Sequence, residues 1–171
     1  EIVRVASAEE FVQAYDLPGF LSSQIVRKEL WDAVEKEKYV GNYWMHLSTI
    51  LEFLPRTDIL YVGTPLVKAR GQSTWDKGGK GLMTFLLLRD IVNGLEQYGY
   101  SRSFIRDSND GFARDLFGVM LYAKRRGLVF SIRTAIQLCR KFYQYPIRLI
   151  PSLFIFMIPQ MVVAYFIKLK S

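Results

Sequence analysis

Residues 39–54 read YVGNYWMHLSTILEFL, and the spacing of their apolar positions organises the first half of the chain. Tyr43, Leu47, Ile50, Leu51 and Leu54 recur at helical intervals, which predicts an amphipathic helix over 43–54 with that stripe in the core. Asn42 stands at the N-cap position, where a short polar side chain accepts from a free backbone N–H, and Pro55 follows the end. The only histidine, His46, falls in the first turn at the edge of the stripe, beside Trp44. An edge position can face a cleft, and a helix N-terminus suits a phosphate or carboxylate. A lone histidine is also a common hydrogen-bonded structural residue.

Upstream, 8–15 reads as a short helix with Ser7 as its cap, and Leu17-Pro18-Gly19 as a break. Residues 20–26 follow as a mostly buried strand whose Ser22 and Ser23 either bond the backbone or face a polar cavity. Downstream, 59–62 is a short strand, 66–69 its continuation past Gly63-Thr64-Pro65, and 70–79 a polar loop. Helices are expected at 82–98, stopped by Gly99, at 111–126, capped by Asp110 and followed by Gly127, and at 128–144. In the last of these Ile132, Ala135, Ile136, Cys139 and Tyr143 share a face. Arg133 and Arg140 lie to one side of it, extended by Arg126 and Arg148, which makes a basic amphipathic helix.

Half of the 171 residues are apolar, enough for a sizeable core, so intrinsic disorder is excluded. The first residue is Glu rather than Met, with no basic n-region, apolar stretch and small-residue cleavage site near it, and the chain is expected to be an excised or incomplete one. One cysteine, Cys139, rules out an internal disulfide and a cysteine-based zinc site, and is expected to be a small buried or interfacial apolar residue. The net charge of +7 is unevenly placed: residues 1–115 hold 14 Lys/Arg and 16 Asp/Glu, whereas residues 116–171 hold nine Lys/Arg and no acid. Such a basic end points to a polyanion, either nucleic acid or an anionic membrane.

Residues 149–167, LIPSLFIFMIPQMVVAYFI, form an uncharged run of 19. That is just sufficient to span a bilayer core, although Pro159 should kink a helix there. A span, a hairpin bent at Pro159-Gln160 and a helix lying in the interface all fit, and a buried core hairpin is the alternative without lipid. Nucleic acid accounts for the arginines but not for this run, so the expected partner is the membrane and not nucleic acid. Arg126, Arg133, Arg140 and Arg148 would then face anionic head groups. Cations at both ends leave the orientation undecided.

No P-loop is present, since Lys77-Gly78-Gly79-Lys80-Gly81 lacks the spacing, and neither a Gly-x-Gly-x-x-Gly fingerprint nor a Gly-x-Ser-x-Gly elbow occurs. In order and spacing, LPGFLSSQIVRKELW, YVGNYWMHLSTILEFL and DILYVGTPLVKARGQSTW resemble the acceptor-side half of inverting, GT-A-type glycosyltransferases of family two. The likeness is to bacterial enzymes that build O-antigen or capsular repeats. It implies an α/β fold, α+β within this stretch. Residues 1–78 would be the acceptor-side half of the catalytic domain, 79–127 a helical extension, and 128–171 the basic helix with a membrane-associated segment.

It further implies a nucleotide-sugar donor, a saccharide or polyprenyl-diphosphate-linked acceptor, and a divalent metal, Mn or Mg, mostly held at an Asp-x-Asp motif that this chain lacks. Ser22, Ser23, Asn42 and Trp44 would line the acceptor side, and Arg70, Gln72 and Trp75 would close on the donor diphosphate. The family's Glu-Asp pair is not visible near Gly41, so His46 or an acid elsewhere would be the base, with metal ligation as the other role for His46. The expected location is the cytoplasmic face of the inner membrane, peripheral or with one hairpin or span. The competing reading is a non-catalytic, membrane-anchored interaction module.

Overall fold

The computed structural model describes residues 2–15, 24–62, 80–127, 131–155 and 157–159, with the side chains of Tyr15 and Lys80 excepted. Elements run in the order β1 (Ile2–Val5), α1 (Ala8–Tyr15), α2 (Lys28–Asp32), α3 (Met45–Phe53), β2 (Ile59–Val62), α4 (Lys80–Asn93), α5 (Arg102–Arg125), α6 (Ile132–Phe142) and α7 (Pro146–Phe154). Short 3₁₀ turns occupy Lys36–Tyr39, Leu54–Arg56 and Leu95–Tyr98. The described chain is therefore mixed α and β and mostly helical, with a two-stranded antiparallel sheet in which Ile2 pairs with Val62 and Val5 with Ile59.

Two compact units are present, one made of Glu1–Gly71 and Leu87–Asp107, the other of Gln72–Leu86 and Ser108–Ser171. Helices α4 and α5 contribute residues to both.

In the first unit α3 is central. Leu47, Ile50, Leu51 and Leu54 are buried, as their spacing predicts, and α3 packs on α2 and on the turns at Lys36–Tyr39 and Leu95–Tyr98. Its start differs from expectation. Asn42 Oδ1 accepts from Trp44 N at 2.9 Å, an Asx turn that spends the amide before the helix begins, so the N-cap is Trp44 and carries no side-chain cap bond. Tyr43 precedes the helix and is 47 % exposed, not part of the core stripe.

At the other end, Pro55 lacks the N–H that would bond the Leu51 carbonyl four residues back. The buried Tyr100 hydroxyl supplies that donor instead, at 3.0 Å.

Ser7 caps α1 through its Oγ, which accepts from Glu10 N at 3.1 Å. Gly99 and Gly127 end their segments with φ of +98° and +86°, a region that favours glycine. Residues 24–26 of the expected strand over 20–26 are not in a strand, and 20–23 lie outside the described residues, as does the expected strand at 66–69. Helix α5 begins at Arg102, not beside Asp110. Ser101 caps it, its Oγ accepting from Phe104 N at 3.2 Å while Glu9 of α1 accepts from the Ser101 hydroxyl at 3.0 Å.

The second unit is a helical core. Ala113, Leu116, Met120 and Ala123 line one side of α5 and pack with Leu82 and Leu86 of α4, Leu138 and Phe142 of α6, and Leu149 of α7. Phe85 stands edge-on to Phe112 with centroids 5.2 Å apart and stacks on Phe142 at 6.4 Å. Lys124 is buried and donates from Nζ to the Ile155 carbonyl at 2.6 Å, a cation at the C-terminal end of α7 where the helix dipole favours one. Burial holds its pKa below the ordinary lysine value.

Helix α7 ends at Phe154, early in the uncharged run of 149–167. Among the described residues no helix is long and apolar enough to cross a membrane, so the expected span is not found there.

Candidate functional site

A pocket of about 250 Å³ opens in the first unit. Its walls come from two separated stretches: Tyr39, Asn42 and Ser48 on one side, and Leu87, Asp90, Ile91, Gly94, Leu95, Gln97 and Tyr98 on the other. Apolar walls with a few convergent polar groups are the usual make-up of a small-molecule site. The volume is that of roughly eight waters, enough for one small polar ring.

Ser48 distinguishes this hollow from a packing defect. It is 3 % exposed, its Oγ has no hydrogen-bond partner among the described residues, and it lines the pocket. A buried hydroxyl without a partner costs about 1–3 kcal/mol, a cost that a hydroxyl-bearing ligand would remove.

A polar cluster braces one wall. Tyr39 donates its hydroxyl to Glu52 Oε2 at 2.7 Å, and the two hydroxyls of Tyr39 and Tyr98 lie 2.9 Å apart. With the Tyr39 proton committed to the carboxylate, Tyr98 is the donor of the second bond. Lys38 Nζ pairs with the same Glu52 oxygen at 2.7 Å and sits over both tyrosine rings, 5.1 and 5.4 Å from their centroids. Burial acts to raise the Glu52 pKa, but the bonds from Lys38 and Tyr39 together outweigh it and hold the carboxyl below its ordinary value. Burial, then the bonds with Tyr98 and Glu52, push the Tyr39 phenol up, so it stays protonated.

Of the expected acceptor-side residues, Asn42 reaches this pocket. Trp44 and His46 do not line it; their rings lie together, 6.0 Å apart and tilted by 51°. Two positions along a helix amount to about 200° of rotation, so the His46 side chain leaves α3 on the side away from Ser48. Ser22, Ser23, Arg70, Gln72 and Trp75 lie outside the described residues. Arg126, Arg133, Arg140 and Arg148 are all exposed, and the Arg126 guanidinium lies over the Tyr122 ring at 5.3 Å. Cys139 is exposed rather than buried.

Sequence reasoning missed Asp90, Gln97 and Tyr98. The one available signal was the charged pair Arg89-Asp90 inside an otherwise uncharged stretch over 81–95. Among the described residues no group of three or more His, Cys, Asp or Glu could hold a metal ion.

Over 82 residues the chain is 32 % identical to the abequosyltransferase RfbV of Salmonella typhimurium, a match covering 44 % of this chain and 25 % of that protein. The similarity is to a glycosyltransferase. The chain spans about a quarter of the length of this relative. No protein-family model matches the chain, and no solved structure is similar to it.

Proposed function

We propose that this chain is the acceptor-side part of a glycosyltransferase of bacterial surface-polysaccharide synthesis, and that the Ser48 pocket holds a saccharide acceptor. The buried, unpartnered Ser48 hydroxyl in a polar-rimmed hollow carries the proposal, and the similarity to a sugar-transferring enzyme supports it. Sugars are recognised by hydroxyl and amide groups set among apolar walls, which Asn42, Ser48, Gln97 and Tyr98 supply here.

In the reaction an acceptor hydroxyl displaces the nucleoside diphosphate of a nucleotide-sugar donor, with inversion at the anomeric carbon. Arg70, Gln72 and Trp75 are assigned to the donor diphosphate, since a guanidinium matches it in charge and geometry. A base must take the acceptor proton. For a saccharide in the pocket that base is Asp90, the carboxylate in its lining; for one bound on the far side of α3 it is His46. The pocket favours Asp90. Where the reaction uses a metal, the residues that hold it are assigned to a part of the protein outside those described. The acceptor is assigned to a polyprenyl diphosphate at the cytoplasmic face of the inner membrane.

The test is a transfer assay on the complete protein. Asp90→Asn is expected to lower turnover by about a hundredfold or more and His46→Ala to leave it near wild type. Ser48→Phe, which fills the pocket, should raise the acceptor KM. If all three variants match wild type, the pocket is not the acceptor site; if only His46→Ala is inactive, the reaction lies on the other side of α3.

A further inference from the structure

The second unit carries an apolar surface that its own core does not use. Helix α6 buries Leu138 and Phe142 yet exposes Ile132 by 82 %, Ile136 by 47 % and Tyr143 by 67 %, with Cys139 exposed between them. Those four positions fall in one stripe along the helix. Arg133 and Arg140 are exposed about 90° further round, on the side away from the core. Helix α7 repeats the arrangement: Leu149 and Ser152 are buried, while Ile147, Ile150 and Phe154 are exposed. The two helices pack on each other and on the same core, and Tyr143 and Ile147 are four residues apart in the chain.

The surrounding charge decides what covers this face. Residues 116–171 have nine cations and no acid. A second copy of the chain meeting this face with its own would therefore bring like charge against like. Nucleic acid would pair the arginines and leave isoleucine and phenylalanine in water. An anionic bilayer offers phosphate to the arginines and acyl chains to the stripe at the same time.

We propose that α6 and α7 lie flat in the head-group layer of an anionic membrane, with Ile132, Ile136, Ile147 and Phe154 entering the acyl boundary and Arg133, Arg140 and Arg148 on the phosphates. Crossing is not required: the nine residues of α7 extend about 13 Å, under half of a bilayer core. This rests on the membrane part of the proposed function and not on the transfer reaction.

Cys139, the only cysteine of the sequence, lies in the stripe and serves as a reporter. With an environment-sensitive fluorophore on Cys139, phosphatidylcholine vesicles containing phosphatidylglycerol should shift emission to the blue, and pure phosphatidylcholine vesicles or high salt should not. At about fivefold per arginine, Arg133→Gln with Arg140→Gln should weaken vesicle binding roughly twenty-fivefold. Ile136→Ser with Ile147→Ser should abolish the shift with helix content unchanged. No shift on anionic vesicles, wild-type binding by the arginine variant, or a shift driven by protein concentration alone would overturn the proposal. Transfer to a soluble acceptor by the complete protein separates the two readings: vesicle binding lost with transfer intact refutes this one alone.

Discussion

Replacing Glu52 by Gln tests whether the cluster beside the pocket is a cooperative brace. The carboxylate of Glu52 is 14 % exposed and accepts from both Tyr39 and Lys38 at 2.7 Å. A bond from a neutral donor to a charged acceptor contributes about 1.5–3 kcal/mol, and the neutral amide of Gln keeps about 1 of it. The Lys38 partner is 36 % exposed, which limits its pair to the range of surface salt bridges, about 0.5 kcal/mol. Glu52→Gln should therefore cost about 2 kcal/mol in urea unfolding at neutral pH.

A double-mutant cycle with Tyr39→Phe should give a coupling near 1 kcal/mol. The pH dependence has a definite sign. Because the folded pKa of Glu52 lies below the ordinary 4.5, its contribution is complete above that value and is lost as pH falls through the folded one. Wild type and Glu52→Gln should converge in acid. A coupling under about 0.3 kcal/mol, or a difference between the two proteins that persists unchanged at about pH 3, would refute the brace.

Two further substitutions probe the cores. Tyr100→Phe leaves the Leu51 carbonyl without the donor that Pro55 cannot supply, and should cost about 1–2 kcal/mol by urea unfolding, with little change in helix content. Phe142→Ala empties a fully buried position stacked on Phe85 and should cost about 3–5 kcal/mol by the same measurement.

Local signals in the sequence were sound where one periodicity or one glycine decided the outcome. The Leu47/Ile50/Leu51/Leu54 stripe, the Ser7 cap, the strand at Ile59–Val62 and the stops at Gly99 and Gly127 all stand in the structure. They failed where two local preferences competed. Asn109-Asp110-Gly111 has the chemistry of a turn, but Ala113, Leu116 and Met120 are buried on the same helix that passes through it, and packing overrides the turn. Helix α6 has two apolar sides; a wheel displays both and cannot tell which one meets the core. The pocket was not legible because its walls are joined by pairs such as Tyr39 and Tyr98, 59 residues apart, and neither stretch alone looks like a site.

The chain's passage between the units has a practical result for anyone dividing this protein. Leu82 and Leu86 precede a stretch that belongs to the other unit, and the residues they pack on return only after it. A fragment ending at Gly127 would keep α5 and the α4 leucines but strip away Leu138, Phe142 and Leu149, leaving Leu116 and Met120 with only part of their apolar cover. Such a fragment would aggregate before it reported anything about lipid. Point substitutions on the outer sides of α6 and α7, which leave the interior filled, are the sound way to separate membrane binding from folding.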